Sequence, residues 1–427
     1  SAYIPAIEVP DEKNGELDKR IISLEWIIEH YEDLLNQGIK IEQSLESLIR
    51  FERPSLQLAM VSQPDWFDIK AVIRIGDFSI PFLALKRHIL NNIREYKLPD
   101  DSVFIIPTEW FSKYDNLLLF SKPTGEDTIQ VGKLHYSILE KIDESSEKQF
   151  EGFISKIKNP ENFNNQAPES LIKIMRPYQN QGFQWLSLLH ENKFGGCLAD
   201  DMGLGKTLQT LAILVAQKEK SIKDSISNTQ ENTYHTTCGQ LDLFSEAKVE
   251  IPLSIQTSLI VAPTSLIFNW QNEILKFAPQ LKFYIFHGKQ RKINPHNFKH
   301  YDLVITTYGT LRSEVDTLSS FLFHYLILDE SQLIKNPDSI GFHAAKQIQA
   351  KHKLALTGTP IENSLSDLWS LFNIINPELL GGYSFFKEKF LVPIERQNSS
   401  YHIEKLNTLI SPFILRRTKS QVAKDLP

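Results

Sequence analysis

The sequence has 427 residues and a net charge of −6, with 41% apolar, 23% charged and 11% aromatic residues. These proportions are those of globular proteins and exclude wholesale disorder, and the length excludes a small scaffold held by disulfides or a structural metal. No uninterrupted apolar run approaches the roughly 18 residues of a membrane-spanning helix. Two cysteines, Cys197 and Cys238, in so long a chain favour a reducing compartment, and we expect a cytoplasmic protein.

Charge is distributed unevenly along the chain. Residues 1–170 are acidic, whereas residues 171–427 carry a small excess of Lys and Arg. Contacts with a phosphate backbone are therefore expected in the second part. The sequence begins with Ser, and no basic and apolar leader follows, so we expect that the natural start has been cut or engineered.

The spacing of apolar residues in positions 1–155 changes from helical to alternating and back to helical. The alternating run Phe67–Ile75 is followed by Gly76-Asp77, which predicts a β-hairpin. The other predicted elements are helices at 17–38, 41–51, 83–93 and 110–120, the second hairpin strand at 78–82 and a strand at 103–106. We therefore expect an α+β accessory module over residues 1–155, and we find no motif with a chemical function in it.

From Leu171 onwards, short strands rich in β-branched residues alternate with helical segments, which is the pattern of a parallel α/β sheet. The segment Ser221–Ile251 interrupts this pattern because it is polar and rich in Ser, Thr, Asn and Gln. We expect a flexible insertion there. The predicted strands are 196–199, 258–261, 283–286, 303–306, 325–328 and 353–356.

The strongest local motif is Asp200-Asp201-Met202-Gly203-Leu204-Gly205-Lys206-Thr207, which lies between a predicted strand and an apolar helix at 208–217. Backbone N–H groups at a helix start can cradle phosphates, a lysine can neutralise the β- and γ-phosphates, and a hydroxyl can bind Mg²⁺. The strict pattern has Gly at the position of Asp200. The strand-turn-helix context nevertheless predicts a phosphate-binding loop in which Lys206 and Thr207 hold MgATP.

Leu326–Glu330 is an apolar strand that ends in two adjacent carboxylates. Because side chains alternate along a strand, the two can take separate tasks. Asp329 would order the magnesium shell, and Glu330 would polarise the attacking water. Two solvated acids at a strand end are the alternative, and the phosphate loop upstream favours the catalytic interpretation.

Several ordered motifs resemble the Swi/Snf-type helicase-like ATPases of helicase superfamily two, which are double-stranded DNA translocases. Met175–Gln179, with Gly182, Phe183 and Trp185 after it, resembles the adenine-recognising Q motif, so Gln179 is implied to read the base. In this family Asp is normal at the position of Asp200. The resemblance implies catalytic roles for Lys206, Asp329 and Glu330, magnesium binding by Thr207 and Asp329, and nucleotide binding by Arg176, Gln179, Asp201, Met202, Gly203, Leu204, Gly205, Lys206 and Thr207.

Three further motifs resemble those that contact DNA or couple to it in this family. Ile260–Ser265 resembles motif Ia and Ile305–Tyr308 resembles motif Ib, and both touch the DNA backbone in the family. Leu356–Pro360 resembles motif III, which couples the nucleotide state to the grip on DNA. Gln332, where the family often has His, points to a bacterial member. The residues implied to contact DNA are Pro263, Thr264, Ser265, Thr307 and Tyr308, and those implied in coupling are Gln332, Thr357, Gly358 and Thr359.

The resemblance covers residues 171–427 and ends with Pro412–Lys419, which is similar to the segment that closes the family's first motor lobe. We expect a RecA-like lobe over residues 156–427, with a helical protrusion and the closing segment at 371–427. The motifs of the second lobe, including its arginine fingers, would follow Pro427. We therefore expect the second lobe to be missing from this sequence and the 427 residues alone to hydrolyse ATP poorly.

These motifs imply a nucleoid-associated ATPase that uses ATP and Mg²⁺ to move along duplex DNA and to remodel DNA-bound complexes such as RNA polymerase. An RNA helicase of the same superfamily and a non-hydrolysing nucleotide- or DNA-binding scaffold are the alternatives. Intact Lys206 and Glu330 argue against the scaffold. The Met-Gly-Leu-Gly-Lys-Thr loop and the closing segment favour the duplex-DNA branch over the RNA helicases.

Gln240-Leu241-Asp242-Leu243-Phe244 is an apolar island in the polar insertion. It resembles the peptide with which bacterial proteins dock on the replication sliding clamp. The resemblance implies a hydrogen bond from Gln240 and partner contacts from Leu241, Leu243 and Phe244. The alternative is that Leu243 and Phe244 fold back as a small cluster beneath the insertion.

The remaining candidates have structural interpretations. A basic stretch that includes Lys289, Arg291 and Lys292 is either a DNA contact or a solvated loop. We expect Trp185 and Trp270 to be core anchors. The histidines do not show the sequence spacing of a metal site.

Overall fold

The computed structural model describes residues 26–28, 30–38, 49–139, 142, 165–233, 256–288, 294–358 and 364–422. The chain divides into two compact units, Ser1–Glu151 and Gly152–Pro427. Across the described ranges, every helix is too short or too polar to cross a membrane.

The first unit is an α+β structure. Within its described residues, β2, β3, β8 and β7 form an antiparallel sheet in that order, with β4 paired to β3, and β1, β6 and β5 form a small mixed sheet. The strands are β1 (Ile49–Arg50), β2 (Ser55–Ser62), β3 (Trp66–Ile75), β4 (Phe78–Pro81), β5 (Glu95–Lys97), β6 (Val103–Ile105), β7 (Lys122–Pro123) and β8 (Thr128–Gly132). The helices are α1 (Tyr31–Asn36), α2 (Lys86–Leu90), α3 (Thr108–Phe120) and α4 (Tyr136–Leu139).

Strand β3 confirms the predicted hairpin, because its alternate residues Phe67 to Ile75 are buried and it pairs with β4. The predicted helix at 41–51 is wrong at its described end, where Ile49 and Arg50 form β1 and pair with Val103 and Phe104. A short apolar run does not distinguish helix from strand, and here a distant partner strand decides. Strand β2 was not predicted.

The second unit contains a seven-stranded sheet in the order β11-β12-β10-β13-β14-β9-β15, and every neighbouring pair is parallel. The central strands β10, β12 and β13 are buried along their whole length. The strands are β9 (Gly196–Leu198), β10 (Ser258–Ala262), β11 (Phe283–Ile285), β12 (Leu303–Thr307), β13 (Phe323–Asp329), β14 (Ala350–Leu356) and β15 (Ile414–Leu415). The predicted α/β class with a RecA-like parallel sheet is confirmed, and the short edge strand β15 is an addition to it.

Helices precede the first of these parallel strands or lie in the connections between later ones. They are α5 (Glu169–Ile172), α6 (Pro177–Glu191), α7 (Lys206–Thr233), α8 (Ile267–Phe277), α9 (Tyr308–Ser313), α10 (Val315–Ser319), α11 (Ile340–Gln347), α12 (Leu365–Ile375), α13 (Tyr383–Phe386), α14 (Val392–Gln397) and α15 (Ser400–Ile410).

Helix α7 corrects one prediction. It continues to Thr233, so the first part of the predicted flexible insertion is helical. Polar composition misled the prediction, because a solvated helix needs few apolar residues, and Lys218 anchors α7 by an ion pair with Asp302 at 2.7 Å. The rest of the insertion, including Gln240 to Phe244, lies outside the described residues.

Candidate nucleotide-binding site

The predicted chemical motifs converge on one edge of the seven-stranded sheet. Strands β9, β13 and β14 run parallel, so their carboxyl ends lie at the same edge. The phosphate loop follows β9, the two carboxylates close β13, and Thr357 follows β14. This edge is where ligands bind in open α/β sheets.

The phosphate loop needs glycine at two positions. Gly203 and Gly205 have φ angles of 88° and 78°, which side chains other than glycine rarely adopt. A Cβ atom on Gly205 would also lie 2.4 Å from Nε2 of Gln179. The loop then enters α7 at Lys206, and backbone N–H groups at a helix start can bind an anion.

Lys206 lies at the centre of the site. Its Nζ donates to the carbonyl oxygens of Asp200 at 2.7 Å and Asp201 at 3.4 Å. Burial lowers the pKa of Lys206, and the carboxylates of Glu330 and Asp329 are among the negative charges that oppose this shift. The predicted catalytic lysine is therefore in electrostatic contact with both predicted catalytic acids.

Asp200 is fully buried and forms an ion pair with Arg417. Arg417 donates from Nε to Oδ1 at 2.9 Å and from Nη2 to Oδ2, and Gln209 donates to Oδ2 at 3.2 Å. Such a carboxylate, with several charge-assisted partners, is held in one orientation. Asp200 thus fixes the base of the loop, which explains an aspartate where the strict pattern has glycine.

The closing segment runs beside the phosphate loop and is bonded to it through the backbone. Ala199 N–H donates to the Leu415 carbonyl at 2.7 Å, and Asp201 N–H donates to the Arg417 carbonyl at 3.0 Å. Lys419 N–H donates to the Asp201 carboxylate at 2.9 Å. The roles of Arg417 and Gln209 were missed, because each depends on a partner that is distant in sequence or in another motif.

Gln179 is buried at the start of α6. Its side-chain oxygen accepts from Arg176 N–H at 2.9 Å, and its Nε2 donates to the Leu204 carbonyl at 3.1 Å. Tyr178 donates its hydroxyl to the same carbonyl at 3.1 Å. Gln179 therefore braces the phosphate loop in this structure, and its reading of the adenine base stays a prediction.

Asp329 is buried at the end of β13 and is held by two donors. Trp270 Nε1 donates to Oδ2 at 2.7 Å, and Glu330 N–H donates to Oδ1 at 2.9 Å. Burial raises the pKa of Asp329, and the Trp270 hydrogen bond opposes this rise. Trp270 is a core residue as predicted, but sequence reasoning missed that its ring nitrogen orients the carboxylate.

Glu330 has a left-handed backbone, with φ of 48° and ψ of 53°. Gln332 Nε2 donates to Glu330 Oε2 at 2.6 Å, and Thr357 donates its hydroxyl to Gln332 Oε1 at 3.1 Å. A strained residue at a strand end is typical of functional sites. The structure thus links Glu330 to the predicted coupling residues, of which Thr359 lies outside the described residues.

Two more predicted nucleotide and coupling residues meet at the tip of the loop. A Cβ atom on Gly358 would lie 3.1 Å from Cγ of Met202, which is itself 67% exposed. Thr207 is half-buried in the first turn of α7. The tip of the phosphate loop is therefore packed against the turn that follows β14.

The predicted DNA contacts separate into two groups. Thr264 and Ser265 are exposed, and Pro263 is half-buried. Thr307 and Tyr308 are buried, and DNA contact by these two residues stays a prediction. Tyr308 donates its hydroxyl to the Asp329 carbonyl at 2.7 Å, and Thr307 accepts from Thr310 N–H as the N-cap of α9.

The chain is similar to known proteins over this unit. The SNF2-related domain matches residues 178–427. A Bacillus subtilis protein named as an ATP-dependent helicase/translocase, YwqA, is 36% identical over 66% of this chain and 28% of its own length. An uncharacterized ATP-dependent helicase of Mycoplasma pneumoniae is 38% identical over 64% of this chain and 24% of its own length.

A solved structure is also similar, the Sulfolobus solfataricus SWI2/SNF2 ATPase core in complex with dsDNA. It is 39% identical with a TM-score of 0.49, and the match covers 62% of this chain and 48% of that one. The chain spans about a quarter of the length of the curated relatives named above. Because the domain match takes in more than half of its residues, the chain belongs to the SNF2-related family.

Proposed function

We propose that this chain contributes the nucleotide-binding lobe of an ATPase that moves along duplex DNA and remodels DNA-bound protein complexes. The observation that carries the proposal is the convergence of the phosphate loop with Asp329 and Glu330 at one sheet edge. Membership of the SNF2-related family supports ATP as the substrate, and the name helicase/translocase of a relative supports movement along DNA.

The phosphates of ATP would bind at the start of α7. Lys206 now donates to two loop carbonyls, and exchanging them for phosphate oxygens places its charge against the β- and γ-phosphates. Glu330 would orient the attacking water, in the role that a carboxylate or glutamine has in related phosphoryl-transfer sites. Gln332 holds that carboxylate in place through Nε2.

The donor set suits Mg²⁺. Thr207 and Asp329 offer hydroxyl and carboxylate oxygens, the ligands that this ion prefers. Each Asp329 oxygen accepts one hydrogen bond and keeps a further lone pair for a ligand. When bound, Mg²⁺ neutralises charge on the β- and γ-phosphates. Trp270 and the Glu330 N–H would keep the carboxylate in the orientation that this role needs.

DNA contact is proposed at the exposed Thr264 and Ser265. They form a short 3₁₀ turn after β10, and exposed backbone N–H and hydroxyl groups are suited to phosphate oxygens. The turn leads into α8, the helix that carries Trp270. Trp270, which orients Asp329, therefore lies in the helix that directly follows the turn proposed to contact DNA.

The test measures ATP binding and hydrolysis by the full-length protein with duplex DNA, single-stranded DNA and RNA. We expect the largest stimulation with duplex DNA, and displacement of a third strand from a triplex without separation of the duplex. Stronger stimulation by RNA would instead indicate an RNA helicase. Nucleotide binding without hydrolysis on any nucleic acid would indicate a scaffold. Lys206→Ala, which removes the phosphate-binding charge, is the control for activity from other enzymes.

A further inference from the structure

Three histidines meet at the opposite edge of the second unit's sheet. His190 is near the end of α6, His324 near the start of β13 and His352 near the start of β14. One ring nitrogen from each lies within 4.8 Å of the others. Asp329 is five positions after His324 on β13, so at about 3.3 Å per residue the cluster is about 16 Å from the catalytic edge.

The cluster contains buried ring nitrogens without hydrogen-bond partners among the described residues. They are both nitrogens of His324 and Nδ1 of His352, whose residues are only 7% and 8% exposed. Buried polar atoms nearly always have a partner, and an exception calls for an explanation such as an ion. The ring of His190 lies 4.0 Å from that of His352, between centroids.

The three imidazoles of the cluster are largely removed from solvent, which disfavours their charged form. Burial, with a smaller contribution from neighbouring positive charge, lowers the pKa of His190 and His324 to about 3 and that of His352 to about 4. Burial thus favours the neutral ring, and neutral imidazole is the commonest protein ligand for metals.

Of the other groups around the cluster, some favour and some oppose the binding of a cation. Tyr325 places its hydroxyl 2.8 Å from Nδ1 of His190, so a proton on Nδ1 leaves Nε2 as a ligand. Gln217 also hydrogen-bonds to His190 and would give way to an ion. Positive charges of Lys193, Lys220 and Lys351 oppose a cation, so imidazole coordination must supply the affinity.

We propose that His190, His324 and His352 form a binding site for a divalent transition-metal ion, for which Zn²⁺ is the best match. Three imidazoles suit Zn²⁺ and do not suit Mg²⁺ or Ca²⁺. With Zn–N distances of about 2.0–2.1 Å, a tetrahedral site places its ligand nitrogens about 3.3 Å apart, so the rings close inwards on binding. Water completes the coordination.

The ion would brace three elements that lead to the nucleotide site. Helix α6 begins with Tyr178 and Gln179 against the phosphate loop, β13 ends at Asp329, and β14 leads to Thr357. A metal bound at their far ends restrains all three together. Its role is structural, because no reacting group of the proposed ATPase lies at this edge.

The experiment uses the full 427-residue chain, freed of metal with a chelator and then titrated with Zn²⁺. We expect one equivalent of zinc by elemental analysis, and a rise of several degrees in the unfolding temperature, because an ion that binds only the folded state stabilises it. Co²⁺ in place of Zn²⁺ should give the intense visible absorption of tetrahedral coordination. No retained zinc, or zinc that leaves the unfolding temperature unchanged, overturns the proposal.

His324→Phe tests the ligand set. Phenylalanine keeps a ring in the pocket and removes both unpartnered nitrogens, so we expect a folded protein without the zinc response. His300→Phe, at an exposed histidine outside the cluster, should respond to zinc like the unaltered chain. An equal response in His324→Phe overturns the proposal. If His324→Phe does not fold, His190→Phe at the half-buried position makes the same test.

Discussion

The two edges of the seven-stranded sheet differ in whether their buried polar groups have hydrogen-bond partners among the described residues. At the carboxyl edge, Asp200 and Asp329 are each held by donors from elsewhere in the unit, Arg417 and Trp270 among them. At the amino edge, buried nitrogens of His324 and His352 have no partner among the described residues. Held acids are pre-organised for a ligand that binds beside them, whereas unpartnered histidines are suited to a ligand that binds between them.

The largest expected effect comes from removing the Glu330 carboxylate at the carboxyl edge. Glu330→Gln should retain ATP binding and lower hydrolysis by about 10²–10⁴-fold, because it removes the carboxylate that acts on water and leaves the phosphate cradle intact. Binding and turnover are measured on one preparation of the full-length protein. Glu395→Gln, at an exposed helical position, is the matched control. Loss of ATP binding in Glu330→Gln would contradict the assigned role.

The next largest effect comes from removing the ion pair between Arg417 and Asp200 that supports the phosphate loop. Arg417→Ala should lower the free energy of unfolding by about 3–5 kcal/mol, because it leaves the Asp200 carboxylate buried and unpaired. Denaturant unfolding gives this value. Arg416→Ala, at the neighbouring exposed arginine, should change it by less than about 0.5 kcal/mol. Equal effects of the two substitutions would show that the ion pair does not hold the loop.

These two predictions also mark what the sequence reveals. Glu330 lies in a contiguous motif, and local periodicity likewise predicted the six longer or central strands of the sheet. Arg417 and Asp200 are 217 residues apart, so their pairing depends on the fold rather than on a local pattern. Strand β15, with two residues, is too short to show any periodicity.

The histidine cluster was missed for the same physical reason. Its members come from a helix and two strands, so their spacing in sequence does not resemble the short spacing of a motif-based metal site. Thr307 and Tyr308 are buried, whereas Thr264 and Ser265 are exposed. Residue types alone do not predict this difference. Position in a sheet, rather than composition, decides which polar residues are available to a ligand.

A smaller effect sharpens the role of Trp270. Trp270→Phe keeps most of the packing and removes the hydrogen bond to Asp329, so we expect a loss of about 1.5–3 kcal/mol in the free energy of unfolding. ATP binding should then require a higher Mg²⁺ concentration, because the Asp329 carboxylate is no longer held in one orientation. Trp185→Phe is the matched control, since Trp185 donates to the Pro412 carbonyl instead. A Mg²⁺ dependence that shifts equally in both would refute the orienting role.

The smallest effect tests whether the amino edge also contains purely structural polar contacts. Asp302, just before β12, accepts from Lys218 Nζ and from Lys282 N–H, both at 2.7 Å. Lys218→Met should lower the free energy of unfolding by about 0.5–1 kcal/mol, as a partly exposed ion pair contributes. Nucleotide affinity and the zinc response should stay unchanged, because the ion pair contains no residue of the nucleotide site and no histidine of the cluster, although the neighbouring Gln217 bonds to His190. Lys299→Met, at an exposed position, is the control. A change in zinc affinity with Lys218→Met would mean that the amino edge acts as one connected unit, and that the histidines depend on the anchoring of α7 as well as on their own strands.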